Sequence, residues 1–500
     1  MNEKLKKLKD IVYEINDINK AIAVLGWDQE TYMPKDGIAG RAEQISTLSQ
    51  ISHKKATSQI LGDLIKSLKV ELSELDQDFD DARLIKVLDR NYQKQIKVPI
   101  EFVAEFAKAS SLGQQAWAEA RTKSDFLIFA PHLKKIVELR KQYADFFAPY
   151  DHIYDPMLDD FEQGLKTSDV KAILDKLRSV QVNLVQKIKS KPEIDNSFFK
   201  LKFDNKKQWD FGVDVITKFG YDWDRGRQDK SEHPFTTDFG VNDVRITTRI
   251  DEYYLPSGLF GSMHEAGHGM YEQGIAQKLA RTPLCAGASC AVHESQSRLW
   301  ENIVGRSLPF WEYYYPILQK KFPSNLSDIS LGCFYKAVNK VIPSMIRVEA
   351  DEATYNLHIM LRTEIEIGLL DGSINVDDLP TVWNSKMMEY LGLNPKNDSE
   401  GVLQDIHWSM GYIGYFSTYT LGNLISAQIW EKINEDIPEL NNNIKNGDFT
   451  ELLTWLKENI HKHGAKFEPQ ELVEKVTGSK ITPEPYLRYL TEKYSKIYDL

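Results

Sequence analysis

Cysteine is scarce in this chain: Cys285, Cys290 and Cys333 are the whole supply in 500 residues. Three thiols build no disulfide framework, and so small and odd a number suits a reducing compartment. Glycine (28) and proline (19) are also sparse, which excludes long flexible linkers. No run of about 18 apolar residues occurs, so no membrane-spanning helix is expected. The opening stretch MNEKLKKLKDIVYEINDINK spreads its charges evenly and lacks the apolar core of a signal peptide. A soluble, cytoplasmic protein is therefore expected. An excess of positive charge is missing too: 62 Lys and Arg stand against 73 Asp and Glu, a net charge of −11. An acidic surface argues against nucleic acid or an anionic membrane as the main partner.

What is present is material for a large core. Hydrophobic residues make up 42% and aromatics 11% of the chain, the composition of a globular protein. Most of it has helical periodicity. Leu5, Leu8, Ile11, Val12 and Ile15 recur at helical spacing, as do Phe102, Phe106, Leu127, Phe129, Leu133, Ile136 and Leu139. TSDVKAILDKLRSVQVNLVQKI predicts a helix capped by Thr167 or Ser168. INVDDLPTVWNSKMMEYLGL and GDFTELLTWLKENIHKHG read the same way, the second closing on Gly464. One segment alternates instead. DVRITTRIDEYY places Val244, Ile246, Thr248 and Ile250 on one face and predicts a strand. After the turn LPSG, helical spacing resumes in LFGSMHEAGHGMYEQGI. The expected fold is mainly α, a large single helical body with a small β-sheet beside this helix. No repeat, low-complexity tract or composition shift marks a domain boundary.

That helix carries His264-Glu265-Ala266-Gly267-His268. Residues four apart share a helix face one turn apart, so both imidazoles can point at one cation. Glu265 is turned by about 100° from His264, placed to reach a water on that cation rather than to ligate it. This is the spacing of zinc peptidases, in which the metal polarises the scissile carbonyl and the glutamate shuttles the proton. With 11 histidines in 500 residues, a chance HExxH has a probability of about 2%, so the motif favours a metal site. Gly267 and Gly269 are poor helix formers. Their presence points to close backbone approach, as a substrate cleft would want.

Three protein ligands are needed, and no third histidine follows at short spacing. Glu294, on the next predicted helix in AVHESQSRLWENIVGRS, is one candidate, with Glu272 and Glu301 as rivals. Glu301 lies seven residues beyond Glu294 on the same helix face. It is suited either to accepting a histidine N–H or to facing solvent.

The chain resembles the carboxypeptidase Taq family of metallocarboxypeptidases, peptidase family M32. The resemblance rests on HPF (His233–Phe235), DVRIT (Asp243–Thr247), HEAGH, HESQ (His293–Gln296), IRVEAD (Ile346–Asp351) and GVLQDIHW (Gly401–Trp408). WDQETYMP (Trp27–Pro34) and RAEQ (Arg41–Gln44) add to it. It implies release of single C-terminal residues from peptides with a free C-terminus, with broad side-chain tolerance. It implies a helical fold with a deep cleft, a homodimer, and zinc, or cobalt as the alternative. It puts the metal on His264, His268 and Glu294, with Glu265 as general base. Residues 1–500 are then one catalytic domain, whose N-terminal helices, about 1–75, cover the cleft.

A carboxypeptidase must bind a terminal carboxylate, a task for which the arginine fork is suited. Arg347 and Arg245 are the candidates. Arg347 also has Asp351 four residues on, spaced for an intrahelical pair. The strand around Arg245 is placed to pair with a peptide backbone, as edge strands do. A donor for the oxyanion is also required, and QDIHWSMGYIGYFSTY offers His407, Tyr412 and Tyr415. By a more distant resemblance to angiotensin-converting-type peptidases, Tyr415 is the oxyanion donor and Tyr412 a carboxylate contact. His233 is expected to narrow the far end of the cleft. Cys285 and Cys290 read as buried small residues or free thiols. Two other functions compete: an endopeptidase on a similar scaffold, which HEAGH alone does not exclude, and a binding protein with a decayed site. The second fits poorly with every named position being present.

Overall fold

The computed structural model describes residues 3–73, 76 and 78–500. The elements among the described residues are almost wholly helices, with one three-stranded sheet. None of the described helices is long and apolar enough to cross a membrane. The chain divides into two compact units. The first comprises Met1–Ile96, Asp195–Val338 and Ile429–Lys480, the second Lys97–Ile194, Asn339–Gln428 and Ile481–Leu500.

In the first unit, Leu5, Leu8 and Val12 of the Glu3–Thr31 helix are buried, with Ile11 and Ile15 packed at the margin of the same cluster. That cluster also takes in Leu279, Leu284 and Cys285. The N-terminal helix therefore packs on the segment that follows HEAGH. Cys285 is a buried thiol, which burial pushes up to about 11, and Cys290 is half-buried; neither is in a disulfide.

The predicted strand is shorter than the alternation suggests. β1 (Gly226–Lys230), β2 (Thr236–Asp238) and β3 (Val244–Thr248) form a sheet of order β1-β3-β2. β3 runs parallel to β1, with Arg227 opposite Arg245, and antiparallel to β2, with Thr236 opposite Ile246. Val244, Ile246 and Thr248 are buried, but Ile250 falls beyond the strand. Because β3 is central, both its edges are already paired, and it has none to offer a peptide. The outer strands are β1 and β2, neither of which has the apolar alternation of β3. The helix after the sheet runs Leu255–Gly274, so LPSG is its first turn rather than a separate connection, with Pro256 where no backbone N–H is needed.

In the second unit the Tyr355–Asp371 helix is buried nearly all round, as expected for a helix without a polar face. Its Glu366 accepts hydrogen bonds from Tyr154 Oη (2.6 Å), Trp408 Nε1 (2.9 Å) and the Gly414 amide (2.9 Å). One buried carboxylate thus pins the segment that carries His407, Tyr412 and Tyr415. That segment is not continuous helix: a short 3₁₀ turn spans His407–Met410, and α-helix begins only at Ser417. Gly414 has φ 99°, and a Cβ there would meet the Met157 carbonyl oxygen at 2.5 Å, so only glycine fits.

Three local expectations fail for identifiable reasons. The Thr167–Lys189 helix is capped by neither Thr167 nor Ser168. Its Thr167 amide and hydroxyl both donate to Asp155, 2.8 and 2.6 Å away. A carboxylate distant in sequence does the capping. The Thr450–Asn459 helix stops well before Gly464, which lies in the following 3₁₀ turn. Leu127 is 75% exposed, unlike Phe129, Leu133, Ile136 and Leu139, because it occupies the solvent face of the first turn of the Phe126–Asp145 helix.

Candidate metal centre

The Leu255–Gly274 helix places His264 and His268 one turn apart, both half-buried. Against it packs the Cys290–Arg298 helix, which supplies Glu294. Glu294 Oε2 lies 3.7 Å from His264 Nε2 and 3.4 Å from His268 Nε2. Among the described residues, His264, His268 and Glu294 form a group whose ligand atoms all lie within 4.8 Å of one another. Such separations suit donors about 2.0–2.2 Å from a shared cation.

The approach of the two helices depends on Gly267. A Cβ at this position would meet the Gln296 carbonyl oxygen and the Ser297 Cα, each at 2.7 Å. The missing side chain therefore serves the contact that delivers Glu294, not a substrate surface. Gly267→Ala is expected to destabilise the protein by about 1–3 kcal/mol and to lower its metal content. Thermal unfolding together with metal analysis checks both.

Hydrogen bonds orient the histidine rings. His264 Nδ1 donates to Glu301 Oε2 at 2.9 Å, so Nε2 is the ring nitrogen that faces Glu294. His293 Nε2 donates to Glu272 Oε1 at 2.8 Å, and its Nδ1 shares a hydrogen with His268 Nδ1 at 2.5 Å. Both ligand histidines thus turn Nε2 inward, each held from behind by a carboxylate, directly or through His293. Glu272 and Glu301, the rivals for third ligand, are the ends of these two chains.

Burial pulls the His264 imidazole down, but Glu294, Glu301 and Glu265 outweigh it and lift it to about 9. Burial also drives His268 down to about 3, with His293 and His264 adding to the effect. Burial alone would raise the Glu294 carboxyl, yet Arg298 and both histidines hold it well below the usual range. Glu294 thus stays a carboxylate beside the two imidazoles, the form in which it can hold a cation.

Glu265 lies outside the ligand group. It is 6% exposed, and burial raises its carboxyl above the ordinary value. The Thr236 hydroxyl of β2 donates to its Oε2 at 2.7 Å. The strand beside the helix therefore orients Glu265, a role that the sequence around HPF did not disclose.

The sequence profile of the carboxypeptidase Taq (M32) metallopeptidase family matches residues 7–494. This chain belongs to that family. It is 40% identical over 488 residues to thermostable carboxypeptidase 1 of Thermus thermophilus, covering 95% of each chain. Carboxypeptidase 1 of Bacillus subtilis is 38% identical over 496 residues, covering 99% of this chain and 98% of that one. The crystal structure of the M32 carboxypeptidase from Deinococcus radiodurans R1 matches with a TM-score of 0.97 at 38% identity, covering 100% of both chains.

The other candidate residues of this M32 chain fall in two places. In the first unit, Arg245 is clasped by Asp243 through Nε and Nη2 and lies between the rings of Trp27 (4.4 Å) and Phe239 (4.7 Å). It is partly buried, not a bare strand residue. Arg227 stacks on the same Trp27 at 5.2 Å, and Arg41 of RAEQ pairs with Asp28 at 2.7 Å. WDQETYMP thus closes over the sheet. His233 is exposed on the turn between β1 and β2, its carbonyl accepting from Ser231 Oγ.

In the second unit, Arg347 is 6% exposed and does not pair with Asp351. The Arg347–Glu349 turn is a single 3₁₀ turn, and Asp351 is taken up by the Ile342 amide and by Thr354. Arg347 instead gives Nε and Nη2 to Asp405 (2.9 and 2.8 Å) and Nη1 to Tyr355. The fully buried Arg362 gives Nε to the other oxygen of Asp405 at 2.6 Å and Nη2 to Gln404 at 2.7 Å. Burial first, then Arg347 and Arg362, drive His407 down to about 4, so its imidazole is neutral near pH 7. Tyr415 stacks 5.5 Å from His407, and Tyr412, 40% exposed, lies 6.1 Å from Tyr415.

Proposed function

We propose that this metal-dependent carboxypeptidase releases single residues from the free C-termini of peptides with broad tolerance of side chain. That it is a metallocarboxypeptidase, a hydrolase of peptide bonds, follows from its family. The observation that carries the reading is the convergence of His264, His268 and Glu294 with the hydroxyl-bonded Glu265 beside them. A divalent cation held by those three, zinc in our reading and cobalt as the alternative, would polarise the scissile carbonyl and acidify a water. Glu265 takes the proton of the attacking water and delivers it to the leaving amine. Thr236 keeps its carboxylate in register for both transfers.

His407 and Tyr415 are our candidates for donors to the developing oxyanion, since a neutral imidazole and a phenol each offer a hydrogen. Arg347 is our first candidate for the substrate carboxylate. In its favour, Arg347 and Arg362 share one counter-charge, so the cluster carries an excess positive charge. Arg245 is the second candidate, with Tyr412 as a further carboxylate contact and His233 narrowing the far end. We further propose that residues 1–500 work as one catalytic domain in a cytoplasmic homodimer, with the helices of about 1–75 covering the cleft. Glu74 and Leu75, at the end of that span, and Met1 and Asn2, at its start, lie outside the described residues.

The deciding experiment pairs an N-blocked dipeptide with a longer, C-terminally amidated peptide. The dipeptide is expected to be cleaved and the amidated peptide to stay intact. Cleavage of the amidated peptide at internal bonds would establish an endopeptidase instead.

A further inference from the structure

Arg298 follows Glu294 by one helical turn and is closely packed, its side chain 14% exposed. Its Nε donates to Glu294 Oε1 at 2.6 Å, and its Nη1 lies 3.3 Å from Glu301 Oε2. Glu301 Oε2 is the same atom that accepts the Nδ1–H of His264. One guanidinium therefore touches both the carboxylate grouped with the histidines and the carboxylate that orients one of those histidines. Arg306 approaches Glu301 from the other side, Nη2 to Oε1 at 3.4 Å, and rests on the Phe260 ring at 3.7 Å. The Ser297 hydroxyl also lies 3.2 Å from Glu294 Oε2.

A free carboxylate can present either oxygen, or both, to a cation. Here Oε1 is engaged by a short, charge-assisted hydrogen bond, which is stronger than a neutral one. Oε2 alone faces the two Nε2 atoms. A guanidinium cannot lose its proton and has no lone pair to offer, so it acts only through the groups it holds. Nothing in hydrolysis itself calls for this residue. We infer that Arg298 is a positioning residue that fixes Glu294 as a one-oxygen ligand and couples it to His264 through Glu301. The inference rests on the metal reading given above.

The probe is cobalt(II) in the full-length enzyme, with its dissociation constant measured by competition with a chelator and its visible absorption spectrum recorded. Arg298→Gln is expected to weaken cobalt binding by about 10–100-fold, the range for residues that hold metal ligands in place, and to shift the absorption bands. Arg298→Lys keeps the charge but has a single nitrogen that cannot bridge two carboxylates in fixed geometry. It is expected to fall between the parent and Arg298→Gln. A folded Arg298→Gln protein with parental affinity and spectrum would overturn the inference. Should that variant not fold, parental values in Arg298→Lys would do the same. Glu294→Ala separates the two claims: it is expected to abolish cobalt binding, and if it binds like the parent, the ligand assignment is what fails.

Discussion

Glu265→Gln is expected to lower kcat by about 10²–10⁴-fold, the contribution of a positioned general base, while metal content is unchanged. The substitution keeps the size and hydrogen-bonding capacity of the side chain but removes its ability to take a proton. The Thr236 hydroxyl can still donate to the amide oxygen, so the local geometry is expected to survive. Because Glu265 is outside the His264–His268–Glu294 group, its neutralisation leaves every ligand in place. Steady-state kinetics on an N-blocked dipeptide, with elemental analysis of the same sample, checks both halves. Turnover at the parental rate would remove Glu265 from the chemistry. A parallel loss of metal would recast it as a residue that maintains the site.

The sequence discloses some of this site and hides the rest, and the division has a physical basis. Two histidines four apart on a helix are legible because helical geometry is local. The identity of the third ligand is not, since Glu272, Glu294 and Glu301 all lie within range and only the crossing of two helices separates them. The structure distributes them by partner: Glu294 faces both Nε2 atoms, Glu301 takes His264, and Glu272 takes His293. Gly267 was readable as a place of close approach, but what approaches is the backbone at Gln296–Ser297. Thr236 and Arg298 left no signal, because a threonine and an arginine acquire these roles only through contacts made after folding.

The same limit applies to the fold. Helices dominate, as their periodicity predicts, and β3 lies where alternation places it. β1 and β2 were missed because neither has the apolar alternation that identifies β3. The position of β3 in the middle of the sheet follows from strand pairing, which no local pattern encodes. In the second unit, Arg347 was expected to choose Asp351 by helical spacing. Its actual partner is Asp405, 58 residues away, because the chain at Arg347 is one 3₁₀ turn and not an α-helix.

Asp405→Ala is expected to destabilise the protein by about 3–5 kcal/mol, the cost of stranding buried charge. Asp405 is the acceptor shared by Arg347 and Arg362, and these two arginines are 6% and 0% exposed. Burial would raise its carboxyl, but the two guanidinium groups hold it far below the usual range. Without it, two buried cations face each other, and the other acceptors described for them are neutral: Tyr355 for Arg347, Gln404 and the His358 carbonyl for Arg362. Burial, and then Arg347, already pull Arg362 down to about 10 even against Asp405. The arithmetic of charge makes the prediction asymmetric. Arg362→Met leaves Asp405 with Arg347, a balanced pair, and replaces a desolvated cation by a packing side chain of similar length. It is therefore expected to cost clearly less than Asp405→Ala. Denaturant midpoints of both variants, measured beside the parent, test the order. Equal losses would mean that hydrogen-bond count, not charge balance, governs this cluster. A loss smaller in Asp405→Ala than in Arg362→Met would show that the excess positive charge is already neutralised by a group outside the contacts described for these residues.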